Sequence, residues 1–167
     1  YQVLLTYDDS SRTYDLELGD GQIQTFDALP SGGTGEMVSR APYHTTLVKN
    51  ADGSLDFFTK SRDRMHFNSA MKRGSVEEFS RGYMGNLQYM EDTHGNRMTL
   101  HYDERGRLGS VTDSSNRSLS FTYEEAERVL TGFSTPASGD ATATGCLERG
   151  QFALQQVDLL LPRQRHQ

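Results

Sequence analysis

At 167 residues the chain has the length for one domain with a hydrophobic core. Its formal net charge of -6 argues against nucleic acid as the main partner, because phosphate binding needs a basic face, and its single cysteine, Cys146, excludes an internal disulfide and any multi-cysteine zinc site. No apolar run approaches the ~18 residues that a membrane-spanning helix requires.

Strand signals begin at once, with eight Tyr, eight Phe and 16 Gly to supply strands and turns. Residues 1–7 read as a strand already under way, so the chain reads as an excised fragment. Over residues 12–18, Tyr14, Leu16 and Leu18 alternate with Thr13, Asp15 and Glu17, the period of a half-buried strand. Asp20-Gly21 supplies a tight hairpin turn, and residues 22–26 form the return strand. Residues 29–40 hold Pro30, Gly32, Gly33 and Gly35 and read as a loop. A second hairpin runs from Leu47-Val48 through Asp52-Gly53 to residues 55–58, and residues 65–68 form another short strand. Residues 69–82 show no period, although residues 76–79 fit one helical turn.

From Gly85 onward the chain repeats. Gly85 falls on Gly106, Leu87 on Leu108, Asp92 on Asp113, Met98 on Leu119, Leu100 on Phe121 and Tyr102 on Tyr123, each pair 21 residues apart. A fixed period of this size marks a repeat architecture. It fits two strands of about six residues plus two turns. In the first unit the strands are residues 87–91 and 97–102, with Met98, Leu100 and Tyr102 on one face and Arg97, Thr99 and His101 on the other. The turn Asp92-Thr93-His94-Gly95-Asn96 has an Asp to accept backbone N–H groups and a Gly to take positive φ. The second unit has Asn116 where the first has Gly95, and Asn is the next most tolerant residue of the left-handed region. Asp103 and Gly106 stand at the first and fourth positions of a type I turn leading into Arg107 and Leu108. After Tyr123 the corresponding turn changes to Glu124-Glu125-Ala126-Glu127-Arg128, and the strand resumes with one residue inserted.

These residues carry a resemblance. Asp92-x-x-Gly95-Asn96 followed by Tyr102-Asp103-x-x-Gly106-Arg107-Leu108 resembles the signature of YD repeats in bacterial Rhs proteins, insecticidal toxin-complex subunits and teneurins. It covers one complete copy, one degraded copy and part of a third. The structural motif is Gly85, Asp92, Gly95, Asn96, Tyr102, Asp103, Gly106, Arg107, Leu108, Asp113, Asn116 and Tyr123. The resemblance implies a mainly β fold, with antiparallel β-hairpin repeats forming part of a spiralling sheet or hollow shell. It further implies a parent that is secreted or at the cell surface, most simply a type VI secretion effector, whose shell encloses a toxin. Residues 1–84 are then a β-rich region preceding the regular repeats, residues 85–136 the repeats, and residues 137–167 an irregular tail in which residues 151–161 fit either a strand or a helix.

Motifs for chemistry are few. The histidines His44, His66, His94, His101 and His166 show no helical metal-ligand spacing. The flank of Cys146 matches no nucleophile pattern. Asp92-Thr93-His94-Gly95 is better explained as a repeat turn than as an aspartic-protease motif, and Asp8-Asp9 and Glu124-Glu125 point apart on a strand. The stretch from Ser31 to Glu36 lacks the Lys and Ser/Thr of a phosphate loop, and Asp20-Gly21 and Asp52-Gly53 lack the ligand run of a calcium loop. The sequence therefore reads as a structural piece and not an enzyme, with no catalytic, cofactor or metal residues. Its expected partners are other repeats of the same chain and the enclosed toxin, with self-association through strand edges. The competing reading is a carbohydrate- or protein-binding module at the cell surface.

Overall fold

A computed structural model describes residues 3–72, 85–124, 130–135 and 144–146. The first eight strands are β1 (Leu4–Asp8), β2 (Thr13–Glu17), β3 (Ile23–Asp27), β4 (Gly35–Val38), β5 (Thr46–Lys49), β6 (Leu55–Phe58), β7 (Arg64–Phe67) and β8 (Met71–Lys72). Then follow β9 (Leu87–Glu91), β10 (Arg97–Tyr102), β11 (Leu108–Asp113), β12 (Ser118–Tyr123), β13 (Leu130–Ser134) and β14 (Thr144–Cys146). A 3-10 turn, Pro30–Gly32, lies between β3 and β4.

Two sheets result. One is four-stranded in the order β3-β2-β1-β8; the other is ten-stranded in the order β14-β13-β12-β11-β10-β9-β7-β6-β5-β4. Neighbouring strands are antiparallel, except for the short parallel pairing of β1 with β8. Neither sheet closes on itself. They touch at two seams. Arg40 donates its backbone N–H to the Thr25 carbonyl at 2.9 Å, beside a bridge between Phe26 and Ser39. Leu5 donates to the Gly85 carbonyl at 2.9 Å, beside a bridge between Leu4 and Asn86.

The core lies where the small sheet covers β4 to β9. Leu5, Leu16 and Phe26 pack from one side, and Leu47, Leu55, Phe57, Phe67 and Leu87 from the other, all essentially without solvent contact. The Phe26 and Phe57 rings meet edge to face at 6.2 Å, the arrangement their quadrupoles favour. Burying an aromatic or aliphatic side chain of this size stabilises by about 1.5–3 kcal/mol, so this cluster anchors the fold. A row of apolar partners crosses the large sheet through Met37, Leu47, Phe57, Met65, Met90 and Met98. Beyond β9 the cover thins: Val111 and Leu119 are buried, whereas Met98, Leu100, Phe121 and Phe133 are only half-buried.

The mainly antiparallel β reading of the sequence holds. Strands β9 and β10 begin and end at the expected residues. One reading is corrected. Residues 29–40 are not wholly loop, because Gly35–Val38 forms β4 and pairs with β5 through Met37 and Leu47. The glycines that suggested a loop serve the turn into that strand. The helical turn expected at residues 76–79 and the strand-or-helix segment at residues 151–161 lie outside the described residues. Within the expected irregular tail, Thr144–Cys146 adds a short strand against β13.

Candidate functional site

The repeat motif folds into one turn geometry used three times. Asp92, Asp103 and Asp113 each open a turn in which the first carbonyl accepts the backbone N–H of the fourth residue (Gly95, Gly106 or Asn116) at 2.9–3.1 Å. The fifth residue closes the loop by accepting the N–H of the Asp. This is a type I turn followed by a left-handed residue, a common three-residue hairpin connection. The fourth residue has φ 82° at Gly95, 74° at Gly106 and 61° at Asn116, so the Gly-to-Asn equivalence read from the repeat is realised in the backbone. Each Asp side chain completes the turn. Oδ1 of Asp92 accepts from the N–H groups of His94 and Asn96, that of Asp103 from Arg105 and Arg107, and that of Asp113 from Ser115 and Arg117.

The fifth side chain returns to the same carboxylate. Asn96 Nδ2 donates to Asp92 Oδ2 at 2.7 Å, Arg107 Nε to Asp103 Oδ2 at 2.7 Å and Arg117 Nε to Asp113 Oδ2 at 2.6 Å. At Asp103 and Asp113 burial pushes the carboxyl pKa up, but the backbone N–H and guanidinium donors outweigh it and leave the pKa below the ordinary value. At Asp92 the Asn96 amide and backbone lower it.

The tyrosines tie the second strand of each unit to the start of the first. Tyr102 Oη donates to the Leu87 carbonyl at 2.7 Å, and Tyr123 Oη donates to the Leu108 carbonyl at 2.8 Å. Donor and acceptor are both displaced by the same 21 residues, so the repeat is also a repeat of contacts. Burial pushes the Tyr102 phenol up to about 12, and burial likewise raises Tyr123. The Arg107 guanidinium lies 4.7 Å from the centre of the Tyr123 ring, linking the second turn to the second anchor. Gly85 and Gly106 precede these strands with φ 79° and 74°, and Gly85 also supplies the carbonyl at one seam between the sheets.

A second constellation, unforeseen from the sequence, lies on the other face of the large sheet. Asp56 on β6 is buried there. It accepts from Arg64 Nε at 2.8 Å and Nη2 at 2.9 Å, from Asn50 Nδ2 at 2.8 Å, and is bonded to His66 Nδ1 at 2.7 Å. Burial raises the Asp56 pKa and these three partners more than reverse it, so the group stays a carboxylate. The Tyr89 ring stacks on His66 at 4.6 Å, and Arg97 sits 4.0 Å from its centre while holding Glu91. Every member faces a partner within the cluster, which makes it a stiffener of four adjacent strands. Asp56, His66 and Tyr89 are far from one another in sequence, and only strand register brings them side by side.

The remaining candidates scatter. His94 is exposed in its turn, His101 is exposed on the polar face, and His44 is exposed in the β4–β5 connection. Asp8, Asp20 and Asp52 accept nearby backbone N–H groups as turn residues. Cys146 falls in β14 and His166 outside the described residues. Among the described residues no group of three His, Cys, Asp or Glu is placed to hold a metal ion, and no helix is long and apolar enough to cross a membrane. No family model matches this chain, and no curated protein matches it.

Proposed function

We propose that this chain is a wall segment of a β-built shell of the Rhs/YD-repeat type, whose parent encloses a toxin for delivery between bacteria. The recurrence of the 21-residue unit in its hydrogen bonds supports this reading: the same turn opens at Asp92 and Asp113, and the same tyrosine anchor reaches back from Tyr102 and Tyr123. A unit of this kind lengthens a sheet without closing it, as a wall requires. The two faces differ in the same sense. One carries Met98, Leu100, Val111 and Leu119, and the other carries Thr99, Thr112 and Ser118, with the Thr112 and Ser118 hydroxyls 2.8 Å apart. In this reading the partners are neighbouring repeats and the enclosed cargo, the parent is secreted or surface-exposed, and the chain itself carries out no reaction. Limited proteolysis of the full parent polypeptide tests it. The segment that follows the repeats should resist cleavage until the β structure is unfolded; cleavage at the rate of that segment expressed alone would sink the shell reading.

A further inference from the structure

We propose that the open end of the two-sheet core is a binding site for a small, uncharged, multiply hydroxylated ligand, of which a sugar ring is the type. A hollow of about 350 Å³ opens there, at the lower end of the range of small-molecule sites. The β2–β3 turn, the β4–β5 connection and the β6–β7 turn converge on it, bringing Gln22, Tyr43 and Lys60 to its rim and Phe57 to its lining. Mouths of β structures are recurrent places for such sites because several loops reach one point over a rigid floor.

The strongest sign is a polar residue in an apolar position. Gln24 and Phe26 are the two buried residues of β3; both face the core, and Gln24 is only 4 % exposed. Burying an amide there is costly unless its hydrogen bonds are made. Gln24 makes them in one direction: Thr45 Oγ1 donates to Gln24 Oε1 at 2.5 Å, and Gln24 Nε2 donates to Gln22 Oε1 at 2.8 Å. The relay ends at the Gln22 amide on the rim of the hollow, whose NH2 group has two donors to offer. Amides and hydroxyls that both donate and accept suit the hydroxyls of a sugar, and the half-buried Tyr43 ring suits its C–H face. The lining has no carboxylate to attract a cation and a single ammonium, Lys60, where a phosphate would call for a cluster. Nothing in this site depends on the 21-residue repeat, so it stands or falls separately from the shell.

The test is an array of neutral hexose- and N-acetylhexosamine-terminated oligosaccharides probed with the whole chain. Retention is expected, falling at least tenfold in Gln22→Ala and in Tyr43→Ala. Arg97→Ala, on the far face of the large sheet, should bind as the parent does. Gln24→Leu separates site from scaffold: it leaves the buried Thr45 hydroxyl without its acceptor and so should melt somewhat lower, and the proposal requires that it lose binding at a temperature where it is still fully folded. Absence of retention on the array, or retention unchanged in Gln22→Ala and Tyr43→Ala, overturns the site.

Discussion

Replacing Tyr102 by Phe removes one oxygen and keeps the ring. The lost bond is the 2.7 Å donation to the Leu87 carbonyl that ties β10 to the start of β9. A partly buried neutral hydrogen bond contributes about 0.5–1.5 kcal/mol net, and leaving a carbonyl short of its donor adds to the loss, so Tyr102→Phe should cost about 1–2 kcal/mol. For a chain of this size that corresponds to a fall in Tm of roughly 2–8 °C. The phenol provides a second signature. Its pKa is pushed up to about 12 in the folded chain, so the unfolded chain loses the proton first as pH rises past 10. The folded state then holds more protons than the unfolded one, and its stability falls with rising pH between about 10 and 12. Urea unfolding across that alkaline range should show a steeper decline for the parent than for Tyr102→Phe. A variant as stable as the parent, with the same alkaline slope, would refute the anchoring role of the repeat tyrosine.

Gly95→Val should cost about 1–2 kcal/mol from backbone strain alone, since a Cβ there meets nothing within 4 Å at φ +82°; Gly95→Asn should cost clearly less, because Asn116 already holds that conformation, and equal losses in denaturant midpoint would contradict this. Asp56→Asn should destabilise by about 2–3 kcal/mol by stripping Arg64 and His66 of their carboxylate. Because the Asp56 pKa is lowered in the fold, its contribution is present above the ordinary carboxylate pKa and disappears as pH falls through the lowered value, so the variant should show a flatter acid limb in thermal melts. Light scattering over a concentration series should reveal self-association of the chain, driven by strand edges and by the half-covered face bearing Met98 and Phe121; a strict monomer melting cooperatively at high temperature would mean that the chain closes its own core.

The repeat turns were legible because their backbone demands a particular residue. Gly, Asn and Asp leave a mark wherever φ turns positive or an N–H needs an acceptor. The turn from Thr59 to Asp63 has the same hydrogen bonds as the others but places Arg62 at φ 73°, and nothing about an Arg announces such a position. β4 was hidden by the glycines beside it. In β6, Leu55-Asp56-Phe57-Phe58 breaks the polar alternation, since its Asp is buried against residues from neighbouring elements. The pairing of Asp56 with His66 spans ten residues and depends on register, which periodicity does not give. The two seams between sheets join residues far apart in sequence, Leu5 with Gly85 and Thr25 with Arg40. No local preference could foretell either, and they decide that residues 3–72 and the first repeat strand share one core.

The spacing of the turn aspartates also restricts how such a chain can change length. Asp92, Asp103 and Asp113 lie 11 and then 10 residues apart, and successive turns sit at opposite ends of the strands they join. Inserting or deleting a single residue within a strand would turn its apolar face outward beyond that point. Gaining or losing one strand with its turn would send the rest of the chain back in the wrong direction. Only the full 21-residue pair returns the chain to the same edge, pointing the same way, with Tyr and carbonyl again in reach. Duplication and loss should therefore proceed in whole strand pairs, and the lengths of related chains should differ by multiples of that quantum, not by a continuum of insertions.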